Sequence, residues 1–189
     1  VATEGQQAVG TGQETTVWTI DPAHTTAEFS VKHMMISTVK GRFGSIEGTV
    51  TGDLDDPTQA AVDVKIDAAS VDTRNDQRDA HLRSADFFDV EHHPHLTFKS
   101  RRIERAGDDR FKVVGDLTIR GVSREVVLDT TFEGQVKDPY GNQRAGFSAA
   151  AKLNRKDFGL NWNALLEAGG VVVGDEVKVE IHAEVTRQG

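Results

Sequence analysis

The sequence predicts an all-β protein, an antiparallel up-and-down eight-stranded β-barrel carrying one or two short helices. Three observations point there. Apolar and polar residues alternate with a period of two through most of the chain, turn-forming residues separate the alternating runs, and no shift in composition divides the 189 residues. Period-two alternation gives a strand one dry face and one wet face, which is antiparallel behaviour. About eight or nine such runs occur, several of them long, and long strands joined in sequence by tight turns form a meander that tends to close into a barrel.

The runs follow in order. Residues 1–15, rich in Gly, Gln and Thr, are expected to form a flexible leader ahead of a single domain spanning 16–189. In TAEFSVKH, Ala27, Phe29, Val31 and His33 share one face, with Glu28 and Lys32 on the other. VDVKIDA places Val62, Val64, Ile66 and Ala68 together, and LTFKS does the same for Leu96 and Phe98. VVLDTTF (Val126, Leu128, Thr130, Phe132) and AGFSAAAKL (Phe147, Ala149, Ala151, Leu153) continue the pattern. VKVEIHAEV closes it, with Val177, Val179, Ile181, Ala183 and Val185 inward. Turn chemistry joins these runs at Gly52, Arg105, Gly121 and Asp138.

Two segments break the alternation. DTRNDQRDAHLRSADFF has Asp72 and Thr73 as N-cap candidates and good helix formers beyond. Its few apolar positions predict a surface helix across one end of the barrel. LNWNALLEAGG predicts a second, shorter helix capped by Asn161 or Asn163 and stopped by glycines, with Trp162, Leu165 and Leu166 on one side.

Composition narrows the function. The 22 basic and 30 acidic residues sum to −8, without the basic stripe of a nucleic-acid binder. No apolar run approaches the roughly 20 residues that span a bilayer, although transient membrane contact is compatible with the chain. The absence of cysteine excludes disulfides, thiolate metal sites and cysteine nucleophiles. The amino terminus lacks the charged-then-apolar pattern of a signal peptide and also an initiator methionine. That favours the cytoplasm, or the periplasm or exterior if a signal was removed. No nucleophile elbow, phosphate loop or dinucleotide fingerprint occurs, so no catalytic residue is assigned.

EHHPHLTF holds three histidines, His92, His93 and His95, within four positions. Imidazole is the commonest side-chain metal ligand, so a metal-dependent enzyme with a histidine-rich rim is the alternative reading. A metal needs convergent rings, whereas Pro94 pushes His93 into extended backbone where His92 and His93 point apart. A third ligand would have to come from His24, His33 or His81. The plainer reading is a solvated strand entrance at Pro94, with no metal ligand assigned.

Apolar bulk is more informative. Met34, Met35, Phe87, Phe88, Phe158, Trp162, Leu165 and Leu166 cluster at the edges of irregular segments, while the inward strand faces are rich in Ala, Val and Thr. A closed eight-stranded barrel with a small-residue lining has room for a ligand.

These motifs resemble the YceI-like, polyisoprenoid-binding family. WTIDPAHTTAEFSVKHMMISTVKGRF is similar to the family's opening block: an aromatic residue, D-x-x-H, a strand ending in V-x-H, and a K/R-G-x-F turn. RDAHLRSADFFDVEHHPHLTFKS, GDLTIRGVSREVVL and RKDFGLNW with VGDEVKVEIHAEV match later blocks in order. The resemblance covers residues 17 to 187. It departs at His93, where the family more often has Phe or Tyr, which makes the rim here more polar. It implies a lipocalin-like barrel whose apolar interior holds a long isoprenoid, polyprenyl or quinone-like, or a fatty acyl lipid, for carriage, storage or sequestration. It carries over Asp21, His24, Phe29, His33, Gly41, Phe43, His81, Leu82, Phe87, Phe88, Pro94, Phe98, Phe158 and Trp162. With Val31, Met34, Met35, Val39, Leu165 and Leu166 these apolar positions are the expected pocket, and His33, Asn161 and Asn163 the expected headgroup contacts. The lipid is the only expected ligand besides a second copy of the chain, since a two-fold dimer is the default homo-oligomer.

Overall fold

A computed structural model describes residues 15–166 and 169–188. The predicted leader lies outside the described residues except for Thr15.

Strand segments β1 (Val17–Ile20), β2 (Thr26–His33), β3 (Ser37–Phe43), β4 (Ile46–Thr51), β5 (Ala61–Asp67) and β6 (Val71–Asp72) precede α1 (Asp76–Arg83), the single α-helix among the described residues. Five long strands follow: β7 (His95–Arg105), β8 (Arg110–Ile119), β9 (Val122–Lys137), β10 (Gln143–Asn154) and β11 (Val173–Arg187). All pairings are antiparallel, and β1 and β2 both return to β11, so the sheet closes into the predicted eight-stranded barrel. Eleven segments make eight staves because three staves are broken midway. β1 and β2 share the neighbour β11, β4 and β3 continue one another, and β5 and β6 pair with β4 and β3 in turn.

The breaks have local causes. Pro22 has no N–H for a ladder, and the chain turns through a 3-10 helix, Pro22–His24, capped by the Asp21 carboxylate on the Ala23 N–H. Asp67 caps the Ala68–Ser70 turn in the same way, through Ala69. The gaps at Gly44–Ser45 and Ala68–Ser70 abut, and their orphan groups bond to one another and to the entrance of β7. Gly44 N–H donates to Ser70 O (3.2 Å), Asp67 N–H to Ser45 O (3.0 Å) and Ala68 N–H to Pro94 O (2.9 Å). Buried Thr25 patches the first gap: its hydroxyl donates to Glu184 O and accepts from Glu184 N–H.

α1 is capped two and three residues later than the expected caps Thr73 and Asp72. Asn75 is the N-cap, its side chain accepting from Arg78 N–H. Asp72 is engaged in β6 against Arg42, and Thr73 is locked by buried Asp79, which accepts from its N–H and its hydroxyl. The second predicted helix does not form. Residues 161–166 are irregular, with an isolated Leu165–Val171 bridge. Tertiary partners take the carbonyls a helix would need: Arg155 binds those of Leu160 and Trp162, and Val172 N–H binds that of Ala164.

The β2–β3 hairpin tip is strained. Met34 and Met35 have φ of 49° and 63°, the signs a type I′ turn needs, and Ile36 N–H closes the turn on His33 O. Such backbone costs a bulky residue about 1 kcal/mol or more, and Asn-Gly is the pair it suits.

One charged knot straps the corner between β1, β10 and β11. Arg144 reaches Asp138 (2.7 Å) and Asp21 (2.9 Å), while the His24 imidazole lies 2.9 Å from Asp21 and 3.3 Å from Glu184. The bond to His24 holds Asp21 below the usual carboxylate range, and Arg144 holds Asp138 down at about 2. Asp21 in turn raises His24 above an ordinary imidazole. The lowered carboxylates contribute stability that is fully present above about pH 3.9 and lost as pH falls through their folded values. The His24 contribution is present below about pH 6.5 and is lost as pH rises through its raised value. Arg144→Gln is therefore expected to move the onset of acid unfolding, followed by circular dichroism, to higher pH. An unchanged acid limb would show that the knot does not strap the barrel.

Candidate functional site

Inside the barrel lies a cavity of about 440 Å³, within the roughly 300–1,000 Å³ usual for small-molecule sites. Its wall is the set of inward residues that the alternation predicts. On β11 the inward Val177, Val179 and Ile181 are only half-buried, although they point away from bulk water. They face open space in the lumen. Leu117, Leu128 and Leu153 on β8, β9 and β10 behave alike. Small side chains keep that space clear, with Ala149, Ala151 and Ala183 where larger residues would meet across the lumen.

The two ends differ. Trp18, Ile20, Val50, Leu54, Ala145 and Val185 pack into one cluster at the end where β4 and β11 finish. At the other end α1, the β2–β3 tip and residues 158–166 and 169–172 surround the lumen. Aromatic rings form a collar there. Phe29, Phe43 and Phe88 are in sequence at 5.6 and 5.7 Å between centroids. His81 stands edge-on to Trp162 (4.6 Å) and Phe87 (5.0 Å), its Nε2 held by Asp86 at 2.9 Å.

Most expected pocket residues are brought together. Phe29, Val31 and His33 line the cavity from β2, and Val39 and Phe43 from β3. Leu82, Phe87 and Phe88 line it from α1 and the turn beyond, Phe98 from β7, and Phe158 and Trp162 from the last connection. Gly41 explains part of this arrangement. A Cβ there would collide with the Phe29 ring and lie 2.9 Å from Thr73 Cγ2, so the K/R-G-x-F turn makes room for that ring against the wall.

Six expected residues lie elsewhere. Met34 and Met35 project from the hairpin tip beyond the lining, because the left-handed turn aims them off the end of the strands. Leu165 and Leu166 are outside it because their segment is not helical, and Leu165 is fully on the surface. Asn161 is exposed, and the Asn163 amide is consumed by backbone, donating to Val173 O and accepting from Ala164 and Val173 N–H. Of the three expected headgroup contacts, His33 alone faces the cavity.

The histidine rim does not converge. His92 is bound to Asp89, His93 lies against Gly121, and His95 is exposed at the start of β7. Pro94 marks that strand's entrance as predicted. Among the described residues the group with metal-ligand spacing is Asp21, His24 and Glu184, where the Arg144 guanidinium already supplies the positive charge.

Sequence reasoning missed Arg155. It is buried, and it donates to the carbonyls of Gly174, Leu160, Trp162 and Val173 with Asp175 at 3.7 Å. Burial pushes its pKa down while Asp175 opposes the shift. It holds Trp162 at the mouth, and no local spacing marks it among the other arginines. Arg78 was missed too; it lines the cavity and binds Thr73 through Nε and Nη2. Removing a buried donor leaves its acceptors unpaired at about 1–3 kcal/mol each, so Arg155→Ala is expected to cost about 3 kcal/mol or more in denaturant unfolding. Arg155→Lys should rescue little, because one ammonium cannot reproduce the planar fork. A loss below about 1 kcal/mol would show that Arg155 does not pin the mouth.

A family model for the YceI-like domain matches residues 18–185. A UPF0312 protein of Staphylococcus aureus (strain bovine RF122 / ET3-1) is 40% identical over 170 residues, 89% of this chain and 96% of that protein. The crystal structure of a Campylobacter jejuni YCEI protein is similar with a TM-score of 0.69 and 32% identity, covering 84% of this chain and 90% of that one. Two more distant structures share the fold. Burkholderia cenocepacia BcnA has a TM-score of 0.77 at 24% identity over 87% of this chain and 98% of its own. A polyisoprenoid binding domain from Saccharophagus degradans has a TM-score of 0.69 at 16% identity over 90% and 98%. With the motif blocks, the closed barrel and the family match in agreement, the chain belongs to the YceI-like family.

Proposed function

We propose that the barrel binds the hydrocarbon chain of an isoprenoid, polyprenyl or quinone-like, or of a fatty acyl lipid, and carries, stores or sequesters it. The observation that carries this reading is the half-buried inward wall: apolar side chains surround an open, carbon-lined lumen. Water gains few hydrogen bonds there, so an apolar occupant is favoured over solvent. Burying a methylene is worth roughly 0.8 kcal/mol, so about 20 carbons offer on the order of 16 kcal/mol gross. Association and chain ordering offset much of it, and the surplus suffices for a passenger that persists through purification. A likeness in fold to a domain described as polyisoprenoid binding supports the same class of ligand.

The polar groups facing the cavity near its open end orient the headgroup. His33 is the expected contact that remains, and His81 and Arg78 join it from α1. No catalytic residue is assigned.

The test is to fill the lumen. Ala149 sits between Thr130 and Ile181 with its side chain facing the cavity, and an aromatic residue suits a strand. Ala149→Phe is expected to fold at a cost of about 1–3 kcal/mol. Its uptake of geranylgeraniol, followed by displacement of an apolar fluorescent dye, should weaken by roughly tenfold or more. Wild-type protein that takes up neither dye nor geranylgeraniol, or a variant that takes them up equally well, would overturn the reading.

A further inference from the structure

We infer that the β2–β3 hairpin tip, with Leu165 beside it, docks the open end of the barrel on an anionic bilayer surface. The inference rests on the lumen reading for its purpose but on separate residues for its evidence. Met34, Met35, Ile36 and Leu165 are 39, 66, 83 and 87% exposed, and they account for four of the seven large apolar side chains on the described surface. They form one patch. Met34 N–H donates to Val172 O at 2.8 Å, Leu165 bridges Val171, and the Met35 sulfur lies against Gly170. Val172 and His33, at the base of that patch, also line the cavity, so patch and lumen are continuous.

Two further features identify the occupant. The tip keeps methionines at both left-handed positions of a turn that Asn-Gly would make without strain. Folding alone does not favour that choice; display of apolar side chains does. The charge around it is also local and opposite to that of the chain. Between Ser30 and Lys40 the formally charged residues are Lys32 and Lys40, both exposed, in a protein of net charge −8. Residues 161–166 and 169–172 opposite carry no charge, and Glu167 lies outside the described residues. Of the acids at the start of β11, Asp175 is taken by Arg155 and Lys156, which leaves Glu176. An apolar tip flanked by lysines matches an interface with acyl chains below and anionic headgroups beside it. In that pose the mouth meets the surface from which a lipid would enter.

The test uses the full chain and a double substitution, M34N/M35G, that removes the apolar tip while supplying the residues the turn prefers. Flotation is measured with phosphatidylcholine vesicles and with vesicles of equal parts phosphatidylcholine and phosphatidylglycerol. Wild type is expected to float with the mixed vesicles at low salt and to release as salt rises. The variant should lose binding by roughly tenfold, retain or raise its thermal midpoint, and still take up geranylgeraniol from solution. That last readout separates the two readings, since an occluded lumen abolishes uptake without affecting flotation. The inference is overturned if wild type ignores both vesicles, if the variant floats equally well, or if the substitution instead dissociates a dimer seen by sedimentation. The last outcome would assign the patch to a second copy of the chain.

Discussion

Closure of the hydrogen-bonded ladder between the first stave and β11 is the constraint on which the rest of the structure depends. A lumen that is not filled by its own side chains gains little from core packing, so the wall must stand on backbone pairing. Each stave therefore needs a neighbour on both sides over much of its length, including near the corner where three staves turn. The corner is made where three staves break, at Pro22–His24, Gly44–Ser45 and Ala68–Ser70; the second and third breaks bond to each other, and the first bonds to β11 through Asp21 N–H on Glu184 O. Thr25 closes the remaining gap against Glu184, and the Arg144 knot straps the same place from outside. Two Asp-x-Ala caps, at Asp21 and Asp67, thus serve the same purpose at both ends of the corner.

The wall in turn sets the chemistry. With the wall held by the closed ladder, inward positions are free to be small, and the alanines of β10 and β11 leave the lumen open. At the far end Trp18, Leu54 and Val185 fill the interior. At the near end the aromatic collar and α1 cover it, with Asp79 tying the helix to Thr73 and Arg155 tying the last connection to β11. A single apolar chamber with one polar, partly covered end is the consequence.

Much of this was legible in the sequence because it rests on period-two alternation. The inward residues of β2, β5, β7, β9, β10 and β11 follow directly from it, and so does the meander. Pro94 was legible as a strand entrance for the same local reason. What was not legible depends on partners far away in sequence. LNWNALLEAGG has helix-forming residues, but Arg155 takes the carbonyls of Leu160 and Trp162 and the Asn163 side chain takes the Ala164 N–H, so the expected helix and the placement of Leu165, Leu166 and Asn161 fail together. Asp72 and Thr73 make plausible caps until β6 and Asp79 claim them. The methionines at 34 and 35 look like pocket filling because no residue pattern announces a left-handed turn made without glycine.

The central claim is that the lumen holds one apolar chain, and native mass spectrometry of the purified protein tests it most directly. The account predicts a species heavier than the 20.6 kDa polypeptide by the mass of one lipid, lost on organic extraction and restored at one to one by added geranylgeraniol. A protein that flies at its bare mass and remains so after incubation with that isoprenoid would contradict it.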